Sequence, residues 1–135
     1  MAVVVVAAVA AVAFALERRK PEPPTQARWA VPSQLDRSDF DRPDAPWLVV
    51  VFSSATCDSC AKSVSQAELL SSDNVVSQDV EVKAHPDLHR RYGIEAVPTT
   101  LVADGDGVVR ASFVGPPAAA ELWAAVAELR RQGEG

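Results

Sequence analysis

Trp47-Leu48-Val49-Val50-Val51-Phe52 is followed, after Ser53-Ser54-Ala55-Thr56, by Cys57-Asp58-Ser59-Cys60. Six successive apolar residues rich in β-branched and aromatic side chains are too few for a typical helix and leave no polar side for solvent. They predict a strand buried on both faces, as in a sheet covered by helices. The small polar residues 53–56 lead out of that strand. A helix is expected to begin at the cysteines and run to about Leu70, with Val64, Ala67 and Leu70 on its inner face.

Working outward from this unit, residues 75–83 read as a second strand, with Val76, Val80 and Val82 alternating against Asp79 and Glu81 on an exposed side. Residues 86–92 form a short helix, with Pro86 suited to the first turn and Gly93 as its stop. Two strand-like runs, 99–103 and 108–114, flank Asp104-Gly105-Asp106-Gly107, a hairpin signal because Asp-Gly tolerates the positive φ of a tight turn. The last helix, 117–131, carries Leu122, Val126 and Leu129 on one face, Arg130 and Arg131 at its C-terminal end, and Gly133 beyond it. The expected fold is α/β, a mixed sheet with helices on both faces. Residues 30–42 are mixed and polar, with Leu35 and Phe40 as their possible anchors.

The two cysteines sit three positions apart, so a bond between them closes a tiny loop and constrains the unfolded chain little. That points to chemistry or metal binding rather than a structural staple. At a helix N-terminus the first sulfur lies beside unpaired N–H groups and the positive end of the dipole, which favour thiolate and make Cys57 the nucleophile. Cys60, one turn on, is placed to resolve the mixed disulfide. Cys57, Cys60, His85 and His89 also suggest zinc, but 24 residues separate the two pairs, against about 12 to 15 in short zinc fingers. The histidines are therefore expected on the solvated surface, and neither a metal nor a cofactor is assigned.

The strand, the turn and the Cys-x-x-Cys helix resemble the thioredoxin superfamily, together with Arg91-Tyr92-Gly93-Ile94-Glu95-Ala96-Val97-Pro98-Thr99, the Asp104 to Gly107 hairpin and Gly115 before the last helix. The resemblance spans roughly residue 47 to the C-terminus and implies a thioredoxin-like three-layer fold with thiol–disulfide exchange on a protein disulfide or dithiol substrate. It makes Pro98 the family's cis-proline, facing the cysteines, and gives the backbone of Val97 to an incoming substrate strand. Thioredoxins usually carry Trp-Cys-Gly-Pro-Cys, whereas here Thr56 precedes the first cysteine and Asp58-Ser59 separate the pair. Asp58 sets a negative charge beside the sulfur, against the helix dipole. The family's buried acid falls on Val51, and Asp79 or Glu81 on the next strand are the acids that could replace it. These departures keep open an alternative, a non-catalytic thioredoxin-fold module that recruits a partner.

Of the 135 residues, 48% are hydrophobic, and every one of residues 1–16 belongs to that set. A helix of 16 residues spans about 24 Å, short but usable against a hydrocarbon core of about 30 Å. Residues 1–16 are thus expected to form an N-terminal apolar helix and membrane anchor, with residues 2–16 in contact with the bilayer. Ala13-Phe14-Ala15 resembles a signal-peptide cleavage site, yet no Lys or Arg precedes the run. Arg18, Arg19 and Lys20 follow it, a bias that predicts a single pass through the cell membrane with the domain on the cytoplasmic face, the extracytoplasmic face being the alternative. Residues 17–28 are a charged, proline-rich linker, and 29–135 the folded domain. A membrane redox partner fits this arrangement. The net charge of −5 argues against a nucleic-acid partner.

Overall fold

The computed structural model describes residues 10–12 and 30–133. The proposed anchor, apart from 10–12, and the linker lie outside the described residues. Among the described residues no helix is long and apolar enough to cross a membrane.

Four strands form one sheet: β1 (Trp47–Ser53), β2 (Val75–Glu81), β3 (Thr99–Asp104) and β4 (Val109–Val114). Their order is β2-β1-β3-β4, with β1 and β2 parallel and the other two pairings antiparallel. A parallel neighbour requires a crossover, and α1 (Asp58–Glu68) supplies it. The fold also contains α2 (Pro86–Arg91) and α3 (Ala119–Gly133). This is the mixed sheet expected, with strand-helix-strand-helix-hairpin-helix order.

Strand β1 lies inside the sheet and alternates between two cores. Leu48, Val50 and Phe52 pack with Leu88 of α2, with Leu101, and with Leu35 and Phe40 of the lead-in. Val49 and Val51 pack on the other face with Ala67 of α1, with Val102, and with Leu122 and Val126 of α3. Each of these β1 side chains is essentially inaccessible to solvent. Full burial of one such side chain is worth about 1.5–3 kcal/mol, so β1 anchors both layers at once.

Several boundaries differ from the sequence reading. Strand β2 ends at Glu81 rather than residue 83: the Val82 N–H still donates to the Ser53 carbonyl of the neighbouring strand (2.9 Å), but the Lys83 and Ala84 N–H groups beyond it are taken by the Glu81 side chain. Helix α3 begins after Pro116 and Pro117 and includes Gly133, which was expected to lie beyond its end. His89 is not on the solvated surface. It is 7% exposed, its Nε2 lies 2.8 Å from the Val80 carbonyl, and its ring stands edge-on to Phe52. A carbonyl can only accept, so Nε2 carries the proton and donates it.

Residues 30–46 gain their order from tertiary contacts. A single 3-10 turn (Arg37–Asp39) is capped by Asp36, and Leu35 and Phe40 insert into the core beneath it. The buried Arg37 guanidinium donates to the carbonyls of Ala45 (2.8 Å), Asp104 (3.0 Å) and Arg42 (3.1 Å). This ties the lead-in to the β3–β4 hairpin.

The hairpin turn meets the lead-in at Gly107, whose φ is 82° and whose carbonyl accepts from the Leu35 N–H at 2.7 Å. A Cβ at this position would collide with the Leu35 carbonyl oxygen. Gly107→Ala is expected to cost about 1–3 kcal/mol in denaturant unfolding. Gly93→Ala, with φ 61° but open space around it, is expected to cost less, about 1 kcal/mol. Equal losses for the two variants would refute the steric part of this account.

Candidate active site

Cys57 and Cys60 are joined by a disulfide with their Cα atoms 5.3 Å apart. Cys57 is the N-cap of α1, with extended backbone at φ −101°, so the helix proper starts at Asp58. Its N–H donates to the Ser54 carbonyl (3.1 Å) and its own carbonyl accepts from the Cys60 N–H (3.2 Å). The two sulfurs occupy different surroundings. Cys57 is half-buried beside the Ser59 hydroxyl, 3.5 Å away, whereas Cys60 is 2% exposed. Asp58 is exposed in the first turn of α1, next to Cys57, as its position in the sequence requires.

The turn that carries Cys57 is held by strand β2. Glu81 accepts the Ala55 N–H with one carboxylate oxygen (3.2 Å) and the Lys83 and Ala84 N–H groups with the other (2.8 and 2.9 Å). The bond from Ala84 is the main reason this carboxyl sits below the usual carboxylate range, with those from Ala55 and Lys83 adding to it against partial desolvation. Two residues earlier, Asp79 accepts a hydrogen bond from the Ser53 hydroxyl. The parallel register sets Val51 beside Asp79 and Ser53 beside Glu81, so both acids lie on the α1 side of the sheet. There they and Ser53 line a cleft of about 390 Å³ together with both cysteines and Glu68.

Val97 and Pro98 are joined by a cis peptide bond, the isomer that the resemblance implies for Pro98. They precede Thr99, which pairs with Phe52, so they stand at the same end of the sheet as the cysteine turn. The segment is braced by the Gly115 N–H donating to the Pro98 carbonyl (2.8 Å) and by the Thr99 hydroxyl donating to the Ala96 carbonyl (2.7 Å). Val97 is 36% exposed. The zinc alternative finds no geometry: His89 is engaged with Val80, and among the described residues no three His, Cys, Asp or Glu side chains come together as a metal cage.

This combination of fold and paired cysteines defines a class. The chain has the thioredoxin fold. Among solved structures it is similar to the germline-specific thioredoxin Deadhead of Drosophila melanogaster, with a TM-score of 0.58 and 22% identity over 74% of this chain and 98% of that one. It is similar also to the thioredoxin of Malassezia sympodialis (TM-score 0.56, 22% identity, 80% and 97% covered) and to that of Plasmodium falciparum (0.54, 20%, 62% and 71%). No protein-family model matches the chain, and no curated protein matches it by sequence.

Because Glu81 is held below its ordinary range, the interactions it makes in the folded state are present at neutral pH and fade as the pH falls through that lowered value. Acidification is therefore expected to speed hydrogen exchange at the Ala55, Lys83 and Ala84 amides selectively. Glu81→Gln is expected to remove that pH response. Exchange that rises equally across the sheet would show global acid unfolding instead.

Proposed function

We propose that the chain is a thiol–disulfide oxidoreductase acting on a protein disulfide or dithiol, tethered to the cell membrane by residues 1–16. The observation that carries the chemistry is the inequality of the two sulfurs, a half-exposed Cys57 at the start of α1 and a buried Cys60 one turn later. In the reducing direction the Cys57 thiolate attacks one sulfur of the substrate disulfide, forming a mixed disulfide and expelling a substrate thiolate. Cys60 then attacks Cys57, closes the internal disulfide and expels the second thiolate. The substrate gains the two electrons that the cysteine pair loses, and the reverse sequence oxidises a dithiol.

The helix N-terminus supports the nucleophile, since unpaired N–H groups and the dipole favour negative charge at Cys57. Asp58 opposes this and moderates the reducing power. Val97 is partly exposed beside Pro98, and in this reading its main chain is the edge to which an extended substrate segment adds. The tether reading rests on the uninterrupted apolar run and on the Arg18-Arg19-Lys20 flank, which favours the cytoplasmic face.

Cys57→Ser is expected to abolish dithiol-dependent reduction of a model disulfide, and Cys60→Ser to accumulate mixed disulfides on a non-reducing gel. Undiminished turnover in Cys57→Ser overturns the activity. For the tether, reduced Cys57 in intact cells is expected to resist a membrane-impermeant maleimide and to react after lysis. Labelling of intact cells would place the domain on the opposite face.

A further inference from the structure

The carboxylates gathered around the cysteine pair have no cationic partners among the described residues. Glu68, Asp79 and Glu81 line the same cleft as both sulfurs, Asp58 is exposed directly after Cys57, and no basic side chain lines that cleft. The ion pairs among the described residues lie elsewhere, on Asp36, Asp39, Asp104 and Glu128. Lys62 and Lys83 follow Cys60 and Glu81 by two residues each; both are exposed, and neither lines the cleft. Glu81 is bonded to backbone N–H groups and Asp79 to the Ser53 hydroxyl, neutral donors that leave the negative charge in place.

These charges surround the sulfur at which a substrate must arrive. Asp58 adjoins Cys57, and the Ala55 N–H that Glu81 holds at 3.2 Å is two residues before it, so both carboxylates stand on the order of 10 Å or less from the reacting sulfur, comparable with a Debye length of about 8 Å at physiological salt. In thiol–disulfide exchange the single negative charge of the attacking thiolate is shared among three sulfurs as the bonds change over. Carboxylates this close repel that charge, and a substrate that brings cations relieves the repulsion, whereas an acidic substrate adds to it. The cleft lies toward β2, while Val97 precedes β3 on the opposite edge of β1. A substrate strand at Val97 and substrate cations over the cleft thus occupy different sides of the cysteine pair and do not compete.

We propose that the site selects basic polypeptide segments: a disulfide or dithiol flanked by Lys or Arg, whose side chains lie over Asp58, Glu68 and Asp79 while Cys57 exchanges. The proposal rests on the oxidoreductase reading above and names a substrate class for it. The covalent steps are those already given, with two electrons passing between the cysteine pair and the substrate; the substrate cations make and break no bond. They lower the energy of the anionic exchange step and hold the segment in place.

The test uses the reduced full-length chain in an uncharged detergent and three synthetic peptides, each closed by one disulfide and identical except that the flanking positions are all Lys, all Gln or all Glu. Each rate of reduction is divided by the rate of the same peptide with mercaptoethanol, an uncharged thiol, which removes differences in intrinsic reactivity. The Lys peptide is expected to react about tenfold or more faster than the Glu peptide near 0.01 M salt, and the two to converge near 1 M, where the Debye length is about 3 Å. The double variant Asp58→Asn, Glu68→Gln is expected to shrink the contrast by raising the rate on the Glu peptide, a gain that structural damage does not produce. Asp73→Asn with Asp106→Asn makes the same change in net charge at the opposite end of the sheet and is expected to leave the contrast intact. Equal normalised rates for the three peptides at low salt overturn this proposal alone. So does a contrast that survives 1 M salt, or one that the distant pair of substitutions lowers as much as the pair at the cleft. Failure of the wild-type chain to reduce any of the three peptides overturns the oxidoreductase reading and this proposal with it.

Discussion

Strand β1 is buried on both faces, and the remaining elements are arranged to keep it so. Its odd residues need α1 and α3 above them, and its even residues need α2 and the lead-in below. With β2 and β3 on its two edges, its backbone groups are satisfied as well. A strand so enclosed has one exit toward solvent, the end where its apolar run stops. The cysteines follow there, which is why the pair stands at the rim of the sheet while the second sulfur is buried in the first turn of α1.

The neighbouring strand does a different kind of work. Strand β2 is apolar where it passes under α1 and acidic where it emerges from beneath it. Glu81 holds the cysteine turn by its backbone amides, and Asp79 holds the side chain of the last β1 residue. Because strands in parallel register advance together, the end of β1 that presents the cysteines also aligns with these two carboxylates. The position where the family resemblance places a buried acid is occupied by Val51, and its partner in the parallel register, on the same face, is the acid Asp79.

The lead-in shows how a polar segment becomes ordered without regular structure of its own. Arg37 is buried, and burial draws its guanidinium below the usual arginine range, opposed by Asp104 and Asp44. Three carbonyls from two separate stretches of chain receive its protons, and that fan of hydrogen bonds offsets part of the cost of removing the charge from water. Tyr92 closes the other side, its hydroxyl donating to Asp39 and accepting from the Asp36 N–H.

The amino-acid sequence by itself determined the elements and their order, because hydrophobic periodicity, proline and glycine placement and the Asp-Gly turn are local signals that act within a few residues. It likewise marked Cys57 and Cys60 through their position after a buried strand, and Pro98 through resemblance. Tertiary structure alone decided the burial of His89, whose helical surface spacing gave no hint that Val80 and Phe52 would receive it. It also decided the role of Arg37, read as one polar residue among many, and the gathering of Asp79, Glu81 and Ser53 beside the cysteines. The alternation of β2 indicated an acidic side. That this side adjoins the cysteine pair depends on which strands are neighbours and in what register, a choice made by the packing of the whole chain and written in no short stretch of it.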